Sequence, residues 1–331
     1  MESQRFADTD LKTTPVGLGT WAIGGWMWGG TDEKQSIATI QTALDKGINL
    51  IDTAPVYGFG RSEEIVGKAI AGGRRKDVVL ATKAGLNWNP EGGDIWRDAT
   101  AARIEQEVAD SLQRLQTDHI DIYQIHWPDP ATPMEETAKA MERLYRDGKI
   151  RAIGVSNFSP EQMDEFAKFA PLHSLQPPYN LFERGIEKDI LPYCKDKGLA
   201  TITYGGLCRG LLSGRMREDT QFEGDDLRQK DPKFQGERFR QYLNAVAALD
   251  RFAWDYAGKN VLALALRWLL DRKEVTTALW GARRPDQLEP IGDVEGWSLD
   301  AEAMKQIDQI LDDNIKDPVG PEFMAPPART S

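Results

Sequence analysis

Eight short apolar runs alternate with helix-period segments along the 331-residue chain, and this rhythm constrains the fold more than any single residue. The runs are PVGLG (15–19), NLID (49–52), VVLATK (78–83), IDIYQIH (120–126), IRAIGVS (150–156), HSLQ (173–176), LATITY (199–204) and TTALWG (276–281). Between them apolar residues recur at helical spacing, as in Ile104, Val108, Leu112 and Leu115, or Met134, Ala138, Met141 and Tyr145. SPEQ at 159–162 is a capping box with proline at the first helical position. Repeated βα units predict a parallel sheet. With no internal repeat and no Gly/Ser- or Pro-rich linker in mid-chain, the expectation is a single (β/α)8 TIM barrel over residues 1–331. A doubly wound sheet is the alternative.

Two segments break the rhythm. Residues 205–240 are polar and poor in periodicity, and a loop of that length in a compact fold is usually functional or disordered. The proline-rich end, residues 316–331, reads as an extended tail that drapes over the barrel or frays.

Composition narrows the partners. A net charge of −11, with basic residues scattered among acids, disfavours nucleic acid and anionic membranes and points to a small-molecule ligand. VLALALRWLL at 261–270 is interrupted by Arg267 and is about half the ~18 residues needed to cross a bilayer, so it reads as a buried helix. The N-terminus shows no charged-then-apolar pattern, and Cys194 and Cys208 form no framework, which predicts a cytoplasmic protein. The three histidines, His119, His126 and His173, lack metal-ligand spacing, so no metal site is expected. A monomer is the default.

In a barrel, catalytic groups stand at the carboxyl ends of the strands. Asp52 ends the second run, Lys83 the third and His126 the fourth, while Tyr57 lies in the loop after the second. Each alone has an ordinary structural explanation. Together they suggest proton donation to an oxygen: Lys83 favours the phenolate of Tyr57, Asp52 holds the ammonium, and His126 orients a carbonyl. Trp21, Trp28, Trp88 and Trp127 crowd the predicted rim, with Trp21 and Trp127 expected near the substrate.

The stretches GINLIDTAPVYGFGRSEEIVGKAI, LATK, YQIHWPD and IGVSNFS resemble the aldo-keto reductase superfamily across nearly the whole chain, most closely a bacterial branch with general stress reductases and NADP-dependent glycerol dehydrogenases. The resemblance implies a (β/α)8 barrel and a catalytic set of Asp52, Tyr57, Lys83 and His126, with Tyr57 as general acid. It implies a nicotinamide cofactor laid across the barrel mouth, in keeping with a GFGRSE stretch (58–63) that lacks the last glycine of a dinucleotide fingerprint. Its carboxamide would meet Ser156, Asn157 and Gln176, its ring Tyr204, and its pyrophosphate the backbone of the 204–214 turn, Gly205 and Leu207 included, with help from Arg209, while Trp21 would also contact the cofactor. Arg283, with Arg284 as a second guanidinium, and Gln287 would bind the 2′-phosphate, favouring NADPH/NADP over NADH/NAD, and Gly281 would also touch the cofactor, although Pro290 and Ile291 depart from the family's adenine contacts. The implied activity is reduction of small to medium aldehydes and ketones, and the reverse alcohol oxidation. Alternatives are a nicotinamide-binding interaction module, as in potassium-channel β subunits, which usually carry asparagine where His126 stands, and a cofactor-free hydrolase or isomerase.

Overall fold

A computed structural model describes residues 1–89 and 93–329; Thr330 and Ser331 of the expected tail lie outside the described residues. Eight parallel strands close into one barrel: β1 (Val16–Gly19), β2 (Leu50–Asp52), β3 (Val79–Ala84), β4 (Ile120–Ile125), β5 (Ile150–Ser156), β6 (Ser174–Gln176), β7 (Ala200–Thr203) and β8 (Thr277–Gly281). They follow one another in chain order around the barrel, and β8 pairs with β1 through Ala278–Gly281 against Val16–Gly19. Each of the eight apolar runs supplies one strand. Barrel strands are covered on both faces, which is why they read as continuous apolar runs rather than as alternation.

Helices cover the outside: α1 (Glu33–Asp45), α2 (Arg61–Ile70), α3 (Ala101–Leu115), α4 (Met134–Arg146), α5 (Pro160–Phe166), α6 (Ile190–Lys197), α7 (Gly236–Ala257), α8 (Val261–Leu270) and α9 (Ala301–Asn314). Ile104, Val108 and Leu115 face the core, and so do Ala138 and Met141, whereas Tyr145 at the end of that stripe is exposed. The capping box of Ser159 and Gln162 forms as read, with Pro160 behind it. Helix α8 is buried along nearly its whole length and capped by Asn260.

The amino-terminal end of the barrel is sealed by a two-stranded ribbon, Gln4–Arg5 against Lys12–Thr13, whose Phe6 and Leu11 join Leu50, Val79 and Ile122 in the inner core. The opposite end stays open. There a hairpin of Leu86–Trp88 and Ile95–Arg97 follows β3, and the excursion after β7 carries three short helical turns, Leu211–Ser213, Leu227–Gln229 and Pro232–Phe234. Helix α7 starts at Gly236, inside the span expected to be loop.

Candidate active site

Asp52, Lys83 and His126 come from the carboxyl ends of three adjacent strands, so their side chains converge at the mouth. Tyr57 is delivered by the turn after β2. A Cβ on Gly24 would stand 2.5 Å from the carbonyl carbon of Tyr57, so only glycine lets the β1 loop touch that turn, and the turn continues through Gly58 in the left-handed region.

Lys83 Nζ donates to Asp52 Oδ2 at 2.7 Å, to the Thr53 carbonyl at 2.9 Å and to Tyr57 Oη at 3.3 Å. The Trp21 ring stacks on Tyr57 at 6.0 Å, and the His126 ring meets it edge-on at 5.8 Å. Burial, then the charge of Asp52, raises the Tyr57 phenol well above its ordinary value of 10.0. This corrects the expectation that Lys83 makes the phenolate accessible: the Asp52 carboxylate cancels much of the ammonium's field, and desolvation prevails. Burial likewise lowers Lys83, against the pull of Asp52. His126 falls well below 6.5 through burial and then the Lys83 charge, so its imidazole is neutral.

Around this centre the polar groups bind one another. Ser156 Oγ donates to the Gln176 carbonyl at 2.7 Å, Asn157 Nδ2 donates to the His126 carbonyl at 3.0 Å, and Tyr204 Oη donates to Asn157 Oδ1 at 2.9 Å. Gln176, expected on the carboxamide, also donates its amide nitrogen to Asp52 Oδ1 at 2.9 Å inside the barrel. Gln124, which sequence reasoning missed, approaches the same oxygen at 3.4 Å. Its signal was available: alternation along β4 points Ile122, Gln124 and His126 to the same side, and an amide at a fully buried strand position needs a polar partner.

Two cavities meet at Tyr57. One, of about 800 Å³, is lined by Trp21, Trp26, Leu86, His126, Trp127 and the tail from Phe323. The other is a groove of about 490 Å³ running from Asp52 and Tyr57 past Gly205, Leu207 and Arg209 to Gly281, Arg283 and Gln287. Trp21 and Tyr204 line both. The excursion after β7 crosses this groove: Met27 N donates to Asp225 Oδ2 at 2.7 Å, and Leu227 N to the Met27 carbonyl at 3.1 Å.

Arg209 is not the free phosphate ligand expected. It is buried, with Nε on Asp231 at 2.6 Å and Nη2 on Glu183 at 2.5 Å, in a network with Lys233. Cys208 beside it is pushed up to about 12 by burial and stays a thiol. At the far end, Arg283 Nη1 donates to the Trp28 carbonyl at 2.7 Å. Its half-buried guanidinium is lowered by burial and by the charges of Arg228 and Arg284, against Asp226. Gln287 Oε1 accepts from the backbone nitrogens of Arg283 and Arg284 at 2.8 and 3.1 Å, which leaves its NH₂ to donate. Arg228, also missed from sequence, lies over the Trp28 ring at 5.5 Å.

An acid, a lysine, a tyrosine and a neutral histidine gather at the open end of a parallel barrel, between an apolar cavity and a groove lined by arginines, an arrangement that fits a barrel enzyme. The chain belongs to the aldo/keto reductase family, whose model matches residues 15–312, and is therefore an oxidoreductase. It is 60% identical over 330 residues to the aldo-keto reductase YhdN of Bacillus subtilis (strain 168), covering 99% of each chain. To the NADH-specific methylglyoxal reductase of Escherichia coli (strain K12) it is 37% identical, covering 85% of this chain and 89% of that one. Among solved structures, the glycerol dehydrogenase AKR11B4 from Gluconobacter oxydans superposes with a TM-score of 0.88 at 53% identity, covering 98% of this chain and 99% of that one. Members of this family use nicotinamide cofactors, typically NADP(H). No helix among the described residues is long and apolar enough to cross a membrane.

Proposed function

We propose that this protein is an NADP(H)-dependent carbonyl reductase, acting on aldehydes and ketones and on the corresponding alcohols in reverse, with Tyr57 as general acid. The observation that carries this reading is a neutral tyrosine, a buried Lys–Asp pair and a neutral imidazole around one cavity floor.

A nicotinamide dinucleotide suits the groove. Its two anionic groups, the bridging pyrophosphate and the 2′-phosphate, match a glycine-rich turn with Gly205 at positive φ and an arginine, Arg283, that has no carboxylate within salt-bridge distance among the described residues. When bound, the cofactor supplies the hydride. The chain's own residues do the rest. His126, uncharged near neutral pH and so carrying a single N–H, donates it to the carbonyl oxygen and fixes its direction. Tyr57 keeps its proton until negative charge develops on that oxygen, then passes it over. The ammonium of Lys83 stabilises the phenolate left behind, and Asp52 holds that ammonium in place.

Arg283 and the free NH₂ of Gln287 support preference for a 2′-phosphorylated cofactor, since forked guanidinium donors match phosphate oxygens, whereas Arg228 beside them is paired with Asp226 at 2.5 Å. The test is a panel of aldehydes and alcohols assayed in both directions with NADPH/NADP and NADH/NAD. The reading predicts turnover with the phosphorylated pair at lower KM; equal or better use of NADH overturns the preference, and no turnover overturns the activity.

A further inference from the structure

The GFGRSE stretch that leads into α2 supplies no dinucleotide fingerprint, yet its last two residues are placed with unusual care. Acidic and hydroxyl side chains in the first turn of a helix ordinarily lie in solvent near its free N–H groups. Ser62 and Glu63 are instead fully buried against the barrel. Ser62 N donates to the Tyr57 carbonyl at 3.1 Å. Its hydroxyl accepts from Thr53 Oγ1 at 2.9 Å and donates to the Thr20 carbonyl at 3.1 Å, while Thr20 Oγ1 donates to the Asp52 carbonyl at 2.9 Å. Glu63 Oε1 accepts from Thr82 Oγ1 at 2.7 Å, and Oε2 accepts from Arg114 Nε at 2.7 Å. Each threonine adjoins a residue of the acid site: Thr20 precedes Trp21, Thr53 follows Asp52 and Thr82 precedes Lys83. One helical turn therefore joins the ends of β1, β2 and β3 and the Tyr57 turn from behind.

Neighbours on a strand point to opposite faces, so Thr82 held outward against α2 keeps Lys83 aimed inward at Tyr57. Arg114 completes the clamp. A Cβ on Gly60 would stand 2.9 Å from Arg114 Cδ, so the partner of Glu63 also backs the turn that delivers Tyr57. The charges act in the same sense: against the effect of burial, Asp52 and then Glu63 favour the ammonium of Lys83. The remaining groups near Lys83 are Tyr57 and the neutral His126. Glu63 itself is faced by Arg114 and the Glu107–Arg103 pair of α3 and by Tyr123 of β4. We propose that Ser62 and Glu63 are positioning residues of the acid site: Ser62 fixes the Tyr57 turn against β1 and β2, and Glu63, through Thr82, fixes the reach of Lys83 to Tyr57 and adds a second negative charge in support of the ammonium. The inference rests on the reductase reading above and adds the groups that align its proton donor.

The test compares wild type, Thr82→Val, Thr82→Ser, Ser62→Ala and Glu63→Gln in steady-state reduction of benzaldehyde and methylglyoxal with NADPH from neutral to alkaline pH, alongside fluorescence titration of the cofactor and thermal melts. Thr82→Val keeps the shape and removes the tie, so kcat should fall about tenfold while KM and NADPH affinity stay within about twofold of the parent. Thr82→Ser restores the hydroxyl and should restore kcat, and Ser62→Ala should lower kcat as Thr82→Val does. Glu63→Gln should lower kcat and also bring the alkaline decline of the rate to lower pH by about half a unit or more, because Lys83 loses a supporting charge. Equal kcat in Thr82→Val and Thr82→Ser overturns the tie, and an alkaline limb that does not move in Glu63→Gln overturns the charge support. Losses confined to KM or to melting temperature show a purely structural turn and overturn the inference whole. A wild type that turns over neither aldehyde with NADPH or NADH removes the reductase reading and this inference with it.

Discussion

Lys83 and Asp52 form a 2.7 Å ion pair with 0% and 3% of their side chains exposed. Such a pair is costly to bury, and its geometry is secured from both sides: Thr53 accepts a second bond from the ammonium, and Gln176 and Gln124 donate to the other carboxylate oxygen. The pair therefore acts as a fixed electrostatic support under Tyr57 and not as a free cation.

Replacing Tyr57 by phenylalanine removes the proton donor and one long hydrogen bond. We expect carbonyl reduction to fall by ~10² or more while cofactor affinity and melting temperature stay near those of the parent. Single-turnover rates with pre-bound cofactor check this, and near-parental hydride transfer would remove Tyr57 from its role. Because burial raises the phenol above 10.0, the reductive rate should also stay level through neutral pH and decline only on the alkaline side.

Lys83→Met leaves Asp52 buried without its counter-ion, which costs about 3–5 kcal/mol in stability besides the lost activity. Adding Asp52→Asn should restore most of the stability and none of the activity. Urea midpoints of the two single variants and the double variant measure the coupling. If Lys83→Met unfolds at the parental midpoint, the pair is not the support described.

Much of this was legible because barrel burial is written in the sequence. Two-sided cover makes each strand an apolar run, and a polar residue closing such a run, as Asp52, Lys83 and His126 do, points at the mouth. What depends on distant contacts was not legible. Arg228 reaches the groove because Asp225 binds the backbone of Met27 and Gly29, an association between segments nearly two hundred residues apart that leaves no local pattern. Arg209 looked like a phosphate ligand until Glu183 and Asp231, far from it in sequence, took its donors. The Tyr57 shift was misread because its sign is set by desolvation, which spacing along a strand does not reveal.

A pH dependence of stability follows from His173, whose Nδ1 accepts from Ile153 N at 3.0 Å and which burial lowers from 6.5. The unfolded chain takes up a proton near pH 6.5 and the folded chain does not. Its contribution is therefore present above that pH and lost as pH falls through the folded value, with a slope of up to ~1.4 kcal/mol per pH unit. His173→Asn keeps an acceptor and cannot titrate. Its unfolding free energy should fall less than the parent's between pH 7 and 5; parallel profiles would show that His173 carries no such linkage.

Cofactor preference is the last expectation, and it turns on how Arg283 is held. Its Nη1 is anchored on the Trp28 carbonyl, so the remaining donors are pre-oriented into the groove, and no described carboxylate lies within salt-bridge distance to neutralise it. Arg284, by contrast, pairs with Asp286 at 3.1 Å on the exposed side. Both arginines flank the start of the 3-10 segment Pro285–Val294, whose amino end is closed by Gln287. A cation at that end is unfavourable unless an anion compensates, and Arg228 adds to the repulsion until one arrives. Charge-assisted bonds contribute roughly 1.5–3 kcal/mol each, so Arg283→Ala should raise the NADPH dissociation constant ~10- to 100-fold and change that for NADH little. Arg284→Ala, removing only a surface pair, should change neither by more than about twofold. Fluorescence titrations of both cofactors against the two variants decide it, and an equal loss of NADPH and NADH affinity in Arg283→Ala would show that this guanidinium does not read the 2′-phosphate.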